Sequence, residues 1–330
     1  MLLFSYIKNH IRVFLLIFTA VFLLLYTVFI YFLVSAALVP SFMNRLHAFE
    51  TITENSYAEQ VQTSDLQRNH LFASAIGEQI STSVPPIKKE IISNDGFHLA
   101  AAEFQNKLSA DYVLLLHGYT GWKEEMYPYA AWYYSRGYNI LVPDLRCHGE
   151  SEGDFIGMGW TDRYALLLWI DQILQESPHS KIIIHGVSMG AASALILSGM
   201  EELPENVSII IADCSYTDAY TMFRKQCRDW FHLPSFPLVD SANLMLQLRG
   251  GYDLKKASPQ EAVKHSHTPT LFIHGTEDAI IPYSHTEQLY NDASCPKELL
   301  LMPNAGHGQA VDSSPLLYYE TISDFLKKWG

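Results

Sequence analysis

The most reactive arrangement that this sequence offers is a serine on a sharp turn. Ser188 stands in HGVSMGAA, between an apolar strand-like run and a helix that opens with small residues. A nucleophilic serine needs such a G-x-S-x-G turn, because its hydroxyl must stand clear of a strained backbone where only glycine leaves room. The start of the following helix would offer the backbone N–H of Met189 to a developing oxyanion. The pattern predicts an acyl-transfer nucleophile; the alternative is an ordinary tight turn.

An acid and a base follow later in the chain, each just after an apolar run. Asp278 lies in HGTEDAIIP, and His307 lies between two glycines in NAGHG. The chain order of serine, acid and histidine is the one that a large class of serine hydrolases uses. We therefore predict that Asp278 orients His307, which would act as the general base for Ser188. Glu277 remains an alternative acid if its loop turns differently.

A second glycine-rich stretch, HGYTG, ends another apolar run at residues 117–121. Gly118 and Gly121 would let this loop fold back and aim a backbone N–H, that of Tyr119, at the same oxyanion. His117 is predicted to be structural rather than catalytic. The alternative is a plain loop between a strand and a helix.

The elements that must position these residues begin after Pro86, where short apolar runs alternate with amphipathic stretches. This alternation is typical of βαβ units and a largely parallel sheet with helices on both faces. The strands are predicted at 90–93, 99–105, 112–116, 139–143, 181–185, 207–212, 270–274 and 298–302. The helices are predicted at 126–136, 160–176, 191–200, 284–293 and 315–329. Sites in such sheets lie at the carboxyl ends of the strands, where each motif above is found.

From about Glu90 to its end, the chain resembles α/β-hydrolases of the serine aminopeptidase-like or Bem46-like group. The stretches that carry the resemblance are HGYTG, PDLRCHGESEG, GVSMG, HGTEDAIIP and NAGHG. The resemblance implies an α/β-hydrolase fold, and the predicted serine chemistry needs no metal or cofactor. It also implies a triad and two backbone oxyanion donors at Ser188, Asp278 and His307, with Tyr119 and Met189.

The N-terminal segment 13–39, VFLLIFTAVFLLLYTVFIYFLVSAALV, contains no charged residue. Its length exceeds the roughly 20 residues that cross a hydrocarbon core, so it predicts a transmembrane signal anchor after a short cytoplasmic segment, 1–12. A cleaved signal peptide, with a cleavage site near SAA at residues 35–37, and a buried core helix are the alternatives. Lys8 and Arg12 precede the segment and Arg45 follows it, which favours an extracytoplasmic catalytic domain on a cell membrane.

Two further regions complete the predicted organisation. Residues 40–86 form a spacer with turns at Thr51–Ser56 and Ser81–Pro86, and a helical spacing of Leu66, Leu71 and Ile76. This spacer either stands off the membrane or packs on the catalytic domain, 87–330. An insertion at 215–264 is predicted to form a small helical cap. Its aromatic and methionine residues either line an acyl pocket or form the core of the cap; they are Tyr216, Tyr220, Met222, Phe223, Trp230, Phe231, Phe236, Met245 and Tyr252.

Composition and cysteine usage exclude several classes of protein. The net charge of −13 repels phosphate backbones, which argues against nucleic-acid binding. Four scattered cysteines without a C-x-x-C pair argue against a zinc site or a disulfide framework, although Cys214 and Cys227 could pair in an oxidising compartment. Cys147 stands in DLRCHGES, a structural loop of the resembled family that usually has glycine there. His265 and His267 lack a third ligand for a metal site.

The expected function is hydrolysis of a carboxylic ester, or of a short peptide or amide, through an acyl-enzyme on Ser188. One alternative is a thioesterase or acyltransferase acting on lipid-derived substrates. The other is a membrane-anchored binding protein that keeps the fold without catalysis, which the intact serine, acid and histidine disfavour. The sequence leaves the oligomeric state open.

Overall fold

The computed structural model of the protein describes residues 2–40, 42 and 64–330. The predicted turn at Thr51–Ser56 and the flanking charge of Arg45 lie outside these residues.

Eight strands form one sheet with the spatial order β1-β2-β4-β3-β5-β6-β7-β8. The pairs β1–β2 and β2–β4 are antiparallel, and all the other neighbouring pairs are parallel. The sheet confirms the predicted fold, and each strand overlaps its prediction. The strands are β1 (Ile87–Ile92), β2 (His98–Phe104), β3 (Tyr112–Leu116), β4 (Asn139–Pro143), β5 (Ile182–Val187), β6 (Val207–Asp213), β7 (Thr270–Gly275) and β8 (Lys297–Met302).

Helices cover both faces of the sheet. The helices are α1 (Leu2–Leu38), α2 (Ser64–Ser83), α3 (Tyr127–Tyr134), α4 (Asp162–Glu176), α5 (Met189–Ser198), α6 (Ala219–Asp229), α7 (Ser235–Gly250), α8 (Pro259–Val263), α9 (Ser284–Asp292), α10 (Ala310–Ser313) and α11 (Pro315–Trp329). Alternate residues of each central strand enter two separate cores, as the period of two in a strand requires. Leu114 and Leu116 of β3 pack with α4, α5 and α9, whereas Val113 and Leu115 pack with α2, α3 and α11.

The helix α1 is continuous from Leu2, so it is longer than the predicted span. Residues 10–38 are long and apolar enough to cross a membrane. From residue 10 to residue 29 the side chains are exposed, except that Tyr26 is half-buried. Ile30, Val34 and Leu38 are instead buried in the core of the catalytic domain. The end of α1 is therefore part of the folded domain.

The described part of the spacer packs on the domain rather than standing off it. Helix α2 contacts α3, where Gly77 lies against the ring of Pro128. Leu66 and Ile80 are buried, but Leu71 is 64% exposed, so the predicted apolar face was wrong at that residue. Gly77 and Ile80 are three residues apart and lie on the same face of α2. This face packs on the domain, because glycine lets α2 come close to α3.

The predicted cap lies between β6 and β7 and contains α6, α7 and α8. Tyr216 and Tyr252 are buried, and their hydroxyls donate to the backbone carbonyls of Met158 and Ile156. Three other aromatic residues fit neither predicted role, because they face outward. Trp230, Phe231 and Phe236 are 40%, 51% and 70% exposed.

A close backbone contact joins the end of β7 to the loop that follows β8. A Cβ built on Gly275 would lie 2.2 Å from the carbonyl oxygen of Ala305, two residues before His307. We expect Gly275→Ala to displace this loop, lowering stability by about 1–3 kcal/mol and also lowering kcat/KM for an ester. Thermal unfolding and steady-state kinetics of the full chain would measure both effects.

Gly96→Ala is the matched control. Gly96 has a φ of 89°, but nothing lies within 4 Å of a Cβ built on it. Its alanine variant should lose about 1–2 kcal/mol from backbone strain alone and keep its activity. Unchanged activity in both variants would contradict the positioning role of the Gly275 contact.

Candidate active site

Ser188 lies in the tight turn between β5 and α5. Its φ of 56° and ψ of −115° are unusual for a residue with a side chain. The turn is held by a hydrogen bond of 2.7 Å from the Ser188 N–H to the carbonyl of Asp213 on the neighbouring strand. Cβ atoms built on Gly186 and Gly190 would lie 2.3 Å and 2.2 Å from backbone atoms. Both glycines are therefore needed for the close crossing of α5 over the sheet.

Ser188, His307 and Asp278 form one continuous line of hydrogen bonds. His307 Nε2 lies 2.8 Å from Ser188 Oγ, and His307 Nδ1 lies 2.7 Å from Asp278 Oδ2. An ionised carboxylate only accepts hydrogen bonds, so Nδ1 carries the proton of the neutral ring and donates it to Asp278. Nε2 then accepts from the serine hydroxyl. The structure thus brings together the three residues predicted from the sequence.

The carboxylate of Asp278 is fixed by more than His307. Its Oδ1 accepts backbone N–H bonds of 2.9 Å from Ile280 and 2.8 Å from Ile281. The alternative acid, Glu277, is exposed, and its backbone N–H is bound to the carbonyl of Ala305. Because the chain turns so that only the second of the two acidic side chains points inward, Asp278 is the partner of the histidine.

A second histidine, His274, contacts the same carboxylate. Its Nε2 lies 3.0 Å from Asp278 Oδ2 and 2.8 Å from the carbonyl of Ile281, and its Nδ1 lies 2.6 Å from Thr286 Oγ1. Both neighbours of Nε2 are acceptors, so this nitrogen is a donor. Sequence reasoning missed this residue. The signal was present, since a His-Gly pair lies within or directly after the last residues of β3, β5 and β7.

Electrostatics polarise the pair of Asp278 and His307. Burial alone would raise the pKa of Asp278, but the charges and hydrogen bonds of His307 and His274 outweigh it and hold this pKa well below its usual range. Burial would lower the pKa of His307, yet the adjacent carboxylate of Asp278 raises it well above its usual value. The arrangement therefore stabilises the protonated form of His307, which is the form that a general base takes once it has accepted a proton.

A buried thiol completes this cluster. Within the described residues, the ligand atoms of Cys214, Asp278 and His307 lie within 4.8 Å of one another. Burial raises the pKa of the Cys214 thiol to about 11, so it stays protonated near neutral pH. Metal ligation needs the thiolate, and both ring nitrogens of His307 are already engaged, so these residues fit a metal poorly. The four described cysteines are free, and the possible pair of Cys214 and Cys227 is not formed.

A chain of buried polar side chains lies beneath Ser188, and sequence reasoning also missed it. Asp213 ends β6, and its Oδ2 accepts a hydrogen bond of 2.8 Å from the Tyr318 hydroxyl. Tyr318 in turn contacts His185, which also contacts Tyr133. Burial raises the pKa of Asp213 to about 6. The carbonyl of Asp213 accepts the Ser188 N–H, so this chain of side chains supports the turn at Ser188 from below.

The loop after β3 lies against Ser188. A Cβ built on Gly118 would lie 3.6 Å from the Cβ of Ser188, so the HGYTG loop and the turn touch. Met189 is the first residue of α5, where backbone N–H groups lack acceptors within the helix. As predicted, His117 is engaged with backbone: its Nδ1 donates to the Gly118 carbonyl, and its Nε2 accepts from the Leu145 N–H.

The DLRCHGES loop holds the HGYTG loop in place. His148 Nε2 accepts the N–H of Thr120, and Asp144 accepts hydrogen bonds from the backbone and the ammonium group of Lys123. Cys147 has a φ of 65°, the left-handed conformation in which glycine is usual. Although Cys147 replaces the usual glycine, the backbone of the loop keeps the left-handed conformation that glycine would adopt at this position.

The last turn of α1 also reaches this loop. The Tyr119 hydroxyl donates to the carbonyl of Ala37, and the Ile156 N–H donates to the carbonyl of Leu38 at 2.9 Å. Carbonyls in the last turn of a helix receive no hydrogen bond from within the helix, and here both accept one from the α/β domain. The N-terminal helix thus contacts the residue predicted to supply an oxyanion donor.

Comparison with known proteins agrees with this geometry. Residues 113–321 match the profile of the alpha/beta hydrolase family. The chain belongs to this family. It is 31% identical over 232 residues to YqkD of Bacillus subtilis (strain 168), covering 70% of this chain and 74% of YqkD. It is 24% identical over 250 residues to the thermostable monoacylglycerol lipase of Bacillus sp. (strain H-257), covering 66% and 91%.

A solved structure shows the same fold. The Pyrococcus furiosus esterase Pf2001 superposes with a TM-score of 0.60 at 22% identity. The match covers 75% of this chain and 94% of the esterase. The hydrolase core of the chain is therefore shared, and the N-terminal helix is additional to the region 113–321 that matches the family profile.

The raised pKa of His307 predicts the pH dependence of this α/β-hydrolase. The base must be neutral, so kcat/KM should rise with pH through a midpoint above the usual histidine value of about 6.5. Asp278→Asn removes the charge that raises this pKa, so the midpoint should move to lower pH. The plateau should fall by about 10⁴-fold, because the imidazole loses its orientation. Profiles of kcat/KM against pH for both proteins measure this.

Glu277→Gln is the control, because its side chain is adjacent in sequence but exposed. It should leave both the midpoint and the plateau unchanged. A shift in this variant, with none in Asp278→Asn, would mean that the carboxylates have been assigned the wrong way round.

Proposed function

We propose that the protein is a membrane-anchored serine hydrolase that cleaves carboxylic esters through an acyl-enzyme on Ser188. The observation that carries the proposal is the line of hydrogen bonds from Ser188 through His307 to Asp278, with contacts of 2.8 Å and 2.7 Å. Each partner stands at the carboxyl end of a parallel strand, where sites of α/β sheets lie. Its membership of the alpha/beta hydrolase family supports hydrolysis as the class of reaction.

In the first half of the reaction, Ser188 Oγ attacks the carbonyl carbon while its proton passes to His307 Nε2. Asp278 stabilises the imidazolium that forms and keeps its ring in position. The tetrahedral intermediate then collapses, the bond to the leaving alcohol breaks, and His307 returns the proton to the alcohol oxygen. The acyl group remains on Ser188 as an ester.

In the second half, water attacks this ester and gives its proton to His307. Collapse releases the carboxylic acid and returns the proton to Ser188 Oγ. We propose that the backbone N–H groups of Tyr119 and Met189 hold the oxyanion in both halves. Losing one such donor costs about 3–4 kcal/mol in activation free energy. The steps use only groups of this chain and water, so no metal or cofactor is needed.

We propose esters rather than amides as the main substrates, because one relative of the chain is the thermostable monoacylglycerol lipase. By its name, that protein acts on a glycerol ester. Short peptides remain the second substrate class, since acylaminoacyl peptidase of Pyrococcus horikoshii shares the fold. Thioesters would react at the same serine. Ester and peptide hydrolysis differ in the leaving group that His307 must protonate, an alcohol or an amine, so a panel of both substrates separates them.

We also propose that α1 anchors the enzyme in a cell membrane. Its apolar stretch, residues 10–38, has the length and composition of a membrane span. Lys8 precedes this stretch and Arg12 lies near its start, which favours a cytoplasmic N-terminus and a catalytic domain on the other side. The burial of Ile30, Val34 and Leu38 in the domain supports an anchor that is retained rather than cleaved.

Replacement of the nucleophile tests the reaction. With p-nitrophenyl esters of rising acyl length, run beside aminoacyl anilides, Ser188→Ala should lower kcat/KM by roughly 10⁵- to 10⁶-fold. The loss follows because no other group can form the acyl-enzyme. Esters should be cleaved faster than anilides.

Ser198→Ala is the matched control, because this buried serine donates to the Leu195 carbonyl at the far end of α5. It should keep activity within about threefold and lose about 1 kcal/mol of stability. Near-normal ester hydrolysis by Ser188→Ala would refute the mechanism. Faster cleavage of anilides than of esters would identify a peptidase instead.

A further inference from the structure

The cap carries a group of exposed apolar side chains that its own core does not explain. We call this group the cap patch. It lies on the α6–α7 turn and the outer side of α7, and its members are Trp230, Phe231, Leu233, Phe236, Leu244 and Leu248. All six are at least 40% exposed, and Phe236 and Leu248 reach 70% and 76%. Apolar side chains grouped in this way mark an interaction surface more often than single exposed ones do.

Contacts between α7 and α1 show which way the cap patch points. Tyr26 contacts Ser241, its hydroxyl 3.0 Å from the serine Oγ. Farther along both helices, the Arg249 guanidinium donates to Ser35 Oγ at 3.0 Å. The residue numbers rise together, so the two helices run parallel. The start of α7, with the turn before it, therefore lies beside the part of α1 that precedes Tyr26.

That part of α1 is the stretch with exposed apolar side chains. Residues 11–29 span about 28 Å at 1.5 Å per residue, close to the roughly 30 Å of a hydrocarbon core. A bilayer that covers this stretch would also reach the level of Tyr26 and Ser241. The α6–α7 turn lies on the bilayer side of that level. It would therefore meet lipid rather than water.

The charges of the cap agree with a position at the membrane surface. The whole chain has a net charge of −13, yet residues 215–264 hold seven basic and five acidic residues. Arg249 stacks over the ring of Tyr31, 3.9 Å from its centroid, at the boundary between the exposed and the buried parts of α1. Arginine and tyrosine are typical of the headgroup level of a bilayer. Along the shared direction of α1 and α7, the turn before α7 is thus apolar, and the level of Arg249 and Tyr31 is basic and aromatic.

We propose that the α6–α7 end of the cap patch, with Trp230, Phe231 and Phe236, inserts into the bilayer that α1 crosses, so that the enzyme takes esters of membrane lipids from that bilayer. This inference rests on the proposed anchoring and ester hydrolysis. The hydrogen bond from Tyr119 to the end of α1 links the loop beside Ser188 to the same membrane-facing unit. The bilayer is the occupant favoured by the continuity of the patch with the exposed face of α1.

Depth-sensitive fluorescence tests the insertion. The full chain carries Cys227→Ser, because Cys227 is the one partly exposed cysteine among the described residues. A fluorophore is attached at Phe231→Cys or Phe236→Cys, and the protein is placed in phosphatidylcholine vesicles that contain spin-labelled lipid. We expect the spin label to quench both fluorophores. Iodide in the water should quench them little.

Two reference positions make the result interpretable. Leu108→Cys lies in the loop before β3, at the opposite edge of the sheet from the site, and its side chain is 84% exposed. A fluorophore there should be quenched by iodide and not by lipid. Leu23→Cys lies in the exposed stretch of α1 and should be quenched by lipid. Without quenching at Leu23, the anchoring itself fails, whereas quenching at Leu23 alone overturns only the insertion of the cap.

A kinetic arm tests the substrate class. The double variant Phe231→Ser with Phe236→Ser should cleave a short soluble ester at the rate of the native chain. Its turnover of a long-chain ester in the vesicles should fall by about tenfold or more, because two aromatic contacts with lipid are lost. Equal turnover of the vesicle ester by both proteins would overturn the proposal. Fluorophores shielded from iodide but not quenched by lipid would also overturn it, in favour of a protein partner.

Discussion

The hydrogen bond between the Ser188 hydroxyl and His307 Nε2 is the contact on which the proposed chemistry depends. It joins residues that are 119 positions apart. The bond forms only because β5, β7 and β8 are placed so that their carboxyl ends meet at one edge of the sheet. At residues 186, 190 and 275 the backbones come so close that even the methyl group of an alanine would not fit. The fold therefore serves chiefly to hold one serine against one imidazole.

The last turns of the N-terminal helix belong to the folded α/β domain. Ile30, Val34 and Leu38 enter the core, and the carbonyls of Ala37 and Leu38 accept hydrogen bonds from the domain. The proposed anchor is therefore in direct contact with Tyr119, in the loop beside Ser188. Helix α1 thus contacts both the cap and the HGYTG loop.

Much of the fold was predictable because its strands are short apolar runs bounded by turn residues. The same runs placed Ser188, Asp278 and His307 at strand ends, although hydrogen bonds of the fold were needed to choose Asp278 over Glu277. The role of Cys214 was not predictable, because it depends on which strands are neighbours in space, whereas the His-Gly pair of β7 was a signal for His274 that sequence reasoning missed. The exposure of Trp230, Phe231 and Phe236 was missed because aromatic composition does not tell which way a helix faces.

The most direct test of the account is to trap the nucleophile in the act of forming a covalent bond. The full chain is treated with a fluorophosphonate, digested, and analysed by mass spectrometry, with the His307→Gln variant treated in parallel. We predict one adduct, on Ser188 alone, and slower labelling in the variant, since the imidazole activates the hydroxyl. An adduct on another residue, or a labelling rate of Ser188 that is independent of His307, would contradict the central claim.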